Sequence, residues 1–305
     1  MKTYRYENMK ALTFSSIMSA ISVVFTVVAY LIGDIGLFLI LILPLCSSLV
    51  SVSVKFKYAL IYIVSTLLIS LIDFQLALFI ILPCLISGLI FGRLIRVYLQ
   101  GHFIILINAL VLLIMQFAST YLINFIYEID LVQSISSLLL LKETTFKEAY
   151  LLFLFMISLI QSSLSFMIIS SELKKLDLEF NEKKDRFILT LSLEISFIIL
   201  TIIIFNVSYS LSLLLLGVSS YIGIVLAYYI FSFYKKKNIY PIQIGLYFIS
   251  IIAMMASLNY LEPNQQVFTF LIPLFSQLIT SGVIIIYQKI IKKSKFTSSL
   301  FDKLD

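Results

Sequence analysis

Charge is scarce in this sequence. Asp, Glu, Lys and Arg make up 12% of its 305 residues, against 61% hydrophobic residues. A soluble domain carries about 25% charged residues, and so few cannot cover a water-facing surface. A soluble fold is excluded, and the chain reads as an integral membrane protein. Cysteine is nearly absent as well. Cys46 and Cys84 both lie inside apolar runs, with no CxxC and no Cys/His cluster, which excludes a disulfide scaffold and a zinc site. The single histidine, His102, follows Gly101 at the foot of an apolar run; a structural or interfacial role fits it better than catalysis. A P-loop, a dinucleotide-binding loop and a GxSxG elbow are all missing. The expectation is a protein with no ATPase of its own, no cofactor, no resident metal, no enzymatic activity and no nucleic-acid partner. Any uphill movement of a solute then needs a partner or an ion gradient.

What is present is a series of apolar runs close to the roughly 20 residues that cross a bilayer. Ten are found, at about 11–32, 35–54, 56–72, 74–92, 103–127, 149–170, 187–205, 209–234, 242–260 and 267–287. The first is too long for a signal-peptide core and lacks a small-x-small cleavage site, so it is expected to be retained. The basic residues test this count independently, because short cytoplasmic loops collect Lys and Arg. If the ten runs are threaded in order, 20 of the 22 basic residues fall on one side, and only Lys142 and Lys147 fall on the other. An extra or missing span would scramble that alternation. The sequence therefore predicts an all-α polytopic bundle of about ten transmembrane helices in the cell membrane, with both termini cytoplasmic. Residues 1–172 would form a six-helix domain, 173–186 a charged cytoplasmic connection, and 187–305 a four-helix extension with a basic tail.

Two runs share a layout. Asp34 precedes Pro44 by the same interval that separates Asp73 from Pro83. With this threading both acids lie outside, each at the start of an inward-running helix, where a carboxylate caps free N–H groups and complements the helix dipole. The prolines then lie about 15 Å deeper, near the midplane, where proline removes a backbone hydrogen bond and kinks a helix. Pro273 sits at a similar depth in the tenth run. Prolines of this kind are common in membrane helices; paired kinks can also open a cavity near the midplane.

The outer connection 128–148 places Leu131, Ile135, Leu138 and Leu139 at helical spacing, so it is expected to lie along the interface or over the bundle. Thr145 to Glu148 reads as a capping box opening the sixth span. Small residues recur in the first run: Ala11, Ser15 and Ser19 at one period, Ser16 and Ala20 at another. Either stripe would let a second helix approach closely, from this chain or from a partner. Gly88 and Gly92 offer the same in the fourth run.

One acid stands inside a span. Glu194 lies eight residues past Arg186, about 12 Å along the helix, where a charge costs at least roughly 2.5 kcal/mol. It is expected to face the bundle interior and to hold a proton at neutral pH when no cation is bound, because burial without a partner disfavours the charged form. Gln161, Asn108 and Gln277 are its candidate polar neighbours. A basic residue reaching up from the cytoplasmic face is the alternative partner, and a proton or cation site the functional reading.

The stretch "MKALTFSSIMSAISVVF" resembles the first helix of the substrate-binding S components of energy-coupling-factor (ECF) vitamin transporters. There a small-xxx-small stripe contacts the coupling subunit; the matching positions here are Ala11, Ser15 and Ser19, or Ser16 and Ala20. Across most of its layout the chain also resembles the YybS-like membrane proteins, which are similar in length, with an S-component-like amino half, an "LP" motif in the second helix (here Leu43–Pro44) and further helices after it. The resemblance implies a transport-related subunit that binds a small solute or acts as a permease, working with an energy-coupling transmembrane subunit and its ATPases. The alternative it leaves open is a non-transport scaffold that binds a partner.

Overall fold

The computed structural model describes residues 6–32, 43–74, 77–97, 99–140, 142–175, 187–235, 240–258, 269–283 and 285–286. All regular structure among these residues is helical. The chain divides into two compact units, Met1–Lys184 and Asp185–Asp305. The first contains α1 (Asn8–Ile32), α2 (Leu43–Ser53), α3 (Phe56–Ser70), a π-helical turn (Ala77–Ile81) leading directly into α4 (Leu82–Arg96), α5 (Gly101–Tyr127), the short α6 (Leu131–Leu138) and α7 (Glu143–Lys175). The second contains α8 (Phe187–Phe205), α9 (Tyr209–Lys235), α10 (Tyr240–Leu258) and α11 (Leu271–Val283). Among the described residues six segments are long and apolar enough to cross a membrane, and four shorter helices are apolar on average. The chain is a multi-pass helical membrane protein.

Many polar side chains of the spans turn inward, while exposed ones such as Ser192 and Ser196 bond carbonyls of their own helix. Ser22, Thr66, Asn108, Ser162, Glu194 and Ser219 are buried, while Ile17, Val24, Ile114, Ile203 and Ile279 are exposed. Lipid tails are as apolar as leucine, so the outward face needs no polar residues and the close contacts come from small and hydrogen-bonding side chains.

The helices that carry Pro44 and Pro83 pack together. α2 and α4 run side by side in the same direction, and Ser47 and Ser51 donate across the seam to the carbonyls of Leu85 and Leu89, at 2.6 and 2.8 Å. At one end of the pair, Arg96 donates to Val52 O at 2.8 Å, Tyr6 N–H bonds Ser53 O, and Lys55 pairs with Glu7. Cationic donors at the carboxyl end of α2 complement its dipole. Lys55 and Arg96, which the charge pattern assigns to one side, thus share one end of the first unit.

Pro83 lies inside one continuous helical stretch, Ala77–Arg96, where the π-turn runs into α4 without a break; the wider turn accommodates a residue that cannot donate backwards. Pro273 follows two 3₁₀ residues, Thr269 and Phe270, and the residues just before Leu43 and Pro44 lie outside the described residues. Asp34 lies outside the described residues, as does the 176–186 part of the charged connection. At Asp73 the backbone carbonyl accepts from Ala77 N–H at 2.9 Å, so the chain begins to wind at the acid.

The connection 128–148 is helical over Leu131–Leu138, where the leucine spacing placed a helix. Asp130 caps α6 by accepting from Gln133 N–H at 3.1 Å, and Leu138 and Leu139 remain exposed on it. The capping box at Thr145 is not used as such. α7 starts at Glu143, with Phe146 N–H already bonded to Lys142 O and a Glu143–Lys147 ion pair across its first turn. That pair supplies a first-turn acid at Glu143, five residues before the Glu148 of the Thr145 motif.

Candidate functional site

Two buried polar clusters stand out, one in each unit. In the first unit α5 and α7 are antiparallel, and α4 packs beside α5. Asn108 on α5 donates through Nδ2 to Ser87 Oγ on α4 (2.9 Å) and to Ser162 Oγ on α7 (3.2 Å). Ser162 donates in turn to Ile105 O at 2.8 Å. Farther along, Ser158 donates to Gln116 Oε1 at 3.0 Å, Gln116 Nε2 lies 3.4 Å from Gln161 Oε1, and Gln161 Nε2 lies 3.8 Å from Cys84 Sγ. Thr120 and Tyr150 close the series at 2.7 Å. The seam follows helical periodicity: Asn108, Gln116 and Thr120 fall on one stripe of α5, and Ser158, Gln161 and Ser162 on one stripe of α7. It passes Cys84, the residue after Pro83. Asn108 is fully buried, yet its Oδ1 has no hydrogen-bond partner among the described residues.

In the second unit α8 and α9 form a hairpin whose turn holds only Asn206, Val207 and Ser208. Glu194 on α8 accepts from Ser219 Oγ on α9 at 3.3 Å. One turn on, Gly223 brings its backbone against the same carboxyl. A methyl added to Gly223 would lie 3.3 Å from Glu194 Oε1, 2.9 Å from Gln277 Oε1 and 2.6 Å from Leu274 Cδ2. Glu194 and Gln277 therefore converge on one point beside Gly223. Glu194 Oε2, Gln277 Oε1 and Ser281 Oγ are buried without a hydrogen-bond partner among the described residues.

No family model matches the chain, and no curated protein or solved structure matches it either. The chemistry must be argued from its own residues.

Of the four residues expected around an intramembrane site, Glu194 and Gln277 meet in the second unit, and Asn108 and Gln161 belong to the seam of the first. Among the described residues Glu194 forms no ion pair; its carboxyl accepts from a serine hydroxyl. Ser219, Gly223 and Ser281 were not singled out in the sequence, and neither were Ser87, Gln116 and Ser162. Their four-residue spacings (219 to 223, and 277 to 281) were the available signal. No group of three His, Cys, Asp or Glu side chains comes together among the described residues.

The helix-one stripes separate. Ala11, Ser15 and Ser19 are buried against the rest of the first unit, with Ser19 Oγ 3.0 Å from Thr66 Oγ1 and Ser22 Oγ 2.8 Å from the Tyr62 hydroxyl. Ser16 and Ala20 are exposed. Gly88 and Gly92 likewise serve packing within the chain, against Pro44, Ser47, Ser48 and Ser51. The His102 ring lies 4.2 Å from that of Phe103 and tilted 48° to it, at the start of α5.

Proposed function

We propose that this is a transport-related subunit of the cell membrane, with ten transmembrane helices and both ends cytoplasmic, that binds a small polar solute in its first unit and performs no chemistry on it. The observation that carries the reading is the fully buried Asn108 amide oxygen with no partner among the described residues. An unmet acceptor at that depth costs stability, and a solute donor would satisfy it. The setting agrees. The seam also holds Gln116, Gln161 and Ser158, and runs beside the π-turn and Pro83, an irregularity of the kind that gathers at functional sites. With no nucleotide-binding motif in the sequence, energy comes from a partner of the energy-coupling type.

Thermal unfolding of the purified full chain tests this, with a panel of small hydrogen-bonding solutes. A ligand binding the native state at about 100 times its dissociation constant stabilises by about 2.7 kcal/mol. At least one solute class is expected to raise the unfolding temperature of the wild type and to fail with Gln161→Ala. A panel without any stabiliser sinks the solute reading. The exposed face of α1 holding Ser16 and Ala20 favours the second reading, a scaffold that docks a partner helix, and co-purification of a membrane partner without any ligand effect would support it.

A further inference from the structure

We propose that Glu194, Ser219, Gln277 and Ser281 form an intramembrane site for a monovalent hard cation, filled in exchange for a proton on Glu194. The proposal concerns the second unit alone and stands whether or not the first unit binds a solute.

The site is a polar layer between two apolar ones. On one side pack Ile198, Leu216, Leu271 and Leu274; on the other pack Leu191, Leu226 and Ile230, with Leu278 and Ile285 against them. The same order along the chain puts α11 antiparallel to α8, so Gln277 falls level with Glu194, as the shared contact at Gly223 shows directly. Glu194 and Ser281 are fully buried and Gln277 nearly so. Glu194 Oε2 and Gln277 Oε1 have no hydrogen-bond partner among the described residues, and neither has Ser281 Oγ, one turn along α11 from Gln277. In the orientation seen, the Gln277 amide turns its carbonyl oxygen rather than its NH₂ toward the carboxyl, and two acceptors cannot satisfy one another. A proton or a cation between them would.

The positive group is not a described side chain. Glu194 is the only Asp, Glu, Lys, Arg or His in α8. α9 offers tyrosines and Lys235, which lies about 24 Å along the helix from Ser219. Of those tyrosines Tyr221 is nearest in sequence, but it lies two residues from both Ser219 and Gly223 and so on another face of α9. α10 carries only tyrosines, and α11 carries no ionisable group. A proton on Glu194 satisfies the pair by donating to Gln277 Oε1. A cation does so by accepting lone pairs from the oxygens directly.

The donor set selects the ion. One carboxylate, one amide carbonyl and two hydroxyls are all hard oxygen ligands, with no sulfur or imidazole to favour a transition metal. Their single negative charge neutralises one monovalent ion. A divalent ion would leave a positive charge uncompensated between two apolar layers. Gly223 keeps the approach open, because any side chain there would enter the space between Glu194 and Gln277. The exchange balances: the neutral carboxylic acid releases one proton as one cation arrives, and the site stays uncharged throughout.

The test uses the purified full chain in detergent, with sodium as the probe and choline at equal ionic strength as the control. At alkaline pH sodium is expected to raise the unfolding temperature by roughly 3 °C at about tenfold excess over the dissociation constant. The rise should shrink as pH falls and protons compete. Adding sodium to a weakly buffered sample should release protons, up to about one per chain. Glu194→Gln, which keeps shape and neutrality, should fold like the wild type and lose both effects. Gln277→Met, which keeps length but removes the oxygen, should weaken sodium binding at least about tenfold. The proposal is overturned if sodium and choline are indistinguishable at alkaline pH, if sodium releases no proton, or if the sodium effect survives in Glu194→Gln.

Discussion

Gly88 lies against Pro44 with no room for a side chain: a methyl built on it would sit 2.3 Å from the Pro44 carbonyl oxygen and 2.7 Å from Ser47 Cβ. The nearest obstacle is backbone, which cannot swing aside as a flexible side chain would. Gly88→Ala should therefore destabilise the protein. Overpacking costs typically about 1–3 kcal/mol, which exceeds the roughly 1 kcal/mol that alanine gains over glycine in a helix. Thermal unfolding in detergent reads the sign. An unchanged or higher unfolding temperature would mean that α2 and α4 are not in this contact.

The two faces of α1 should respond differently to the same insult. Ser15→Leu and Ser19→Leu force a large side chain into the buried face against α3 and are expected to lower stability and expression. Ser16→Leu and Ala20→Leu enlarge the exposed face and should leave unfolding unchanged. If a partner helix docks there, the latter pair should lose it in a pull-down from native membranes. Equal destabilisation by all four would contradict the separation of the stripes.

Topology is open to chemical labelling in intact cells. Cysteine at position 142 should react with a membrane-impermeant thiol reagent, and cysteine at 236 or 293 should not. The native thiols, Cys46 and Cys84, are both buried, so the background should be low. Strong labelling at 236 with none at 142 would reverse the proposed orientation.

The helical class and the membrane setting were legible because composition alone forbids anything else. The Asp–Pro repeat was legible too, but the π-turn before Pro83 was not. A proline interval says how deep the ring lies and nothing of how the turn before it is wound. The face of α1 that turns inward was hidden for a different reason. Two small-residue stripes lie about 100° apart on the same helix, and lipid is no less apolar than a helix interface, so no contrast in hydropathy distinguishes inside from outside. Glu194 was visible as the lone acid of its span, and Gln277 as a polar residue of comparable depth. Ser219 and Gly223 were not, since serine and glycine are the ordinary material of close helix packing and carry no mark of the carboxyl they approach.

The pairing of α2 with α4 also constrains how this protein is made. Ser47 and Ser51 point their hydroxyls at carbonyls of Leu85 and Leu89, residues that the ribosome has not yet joined to the chain when α2 is complete. Until α4 follows, α2 has neither its glycine groove nor the Arg96 donor for its carboxyl end. Its release into lipid is thus tied to the synthesis of a helix nearly forty residues downstream, with α3 threaded between them in sequence. A nascent chain truncated before Leu82 would lack the acceptors toward which Ser47 and Ser51 are turned.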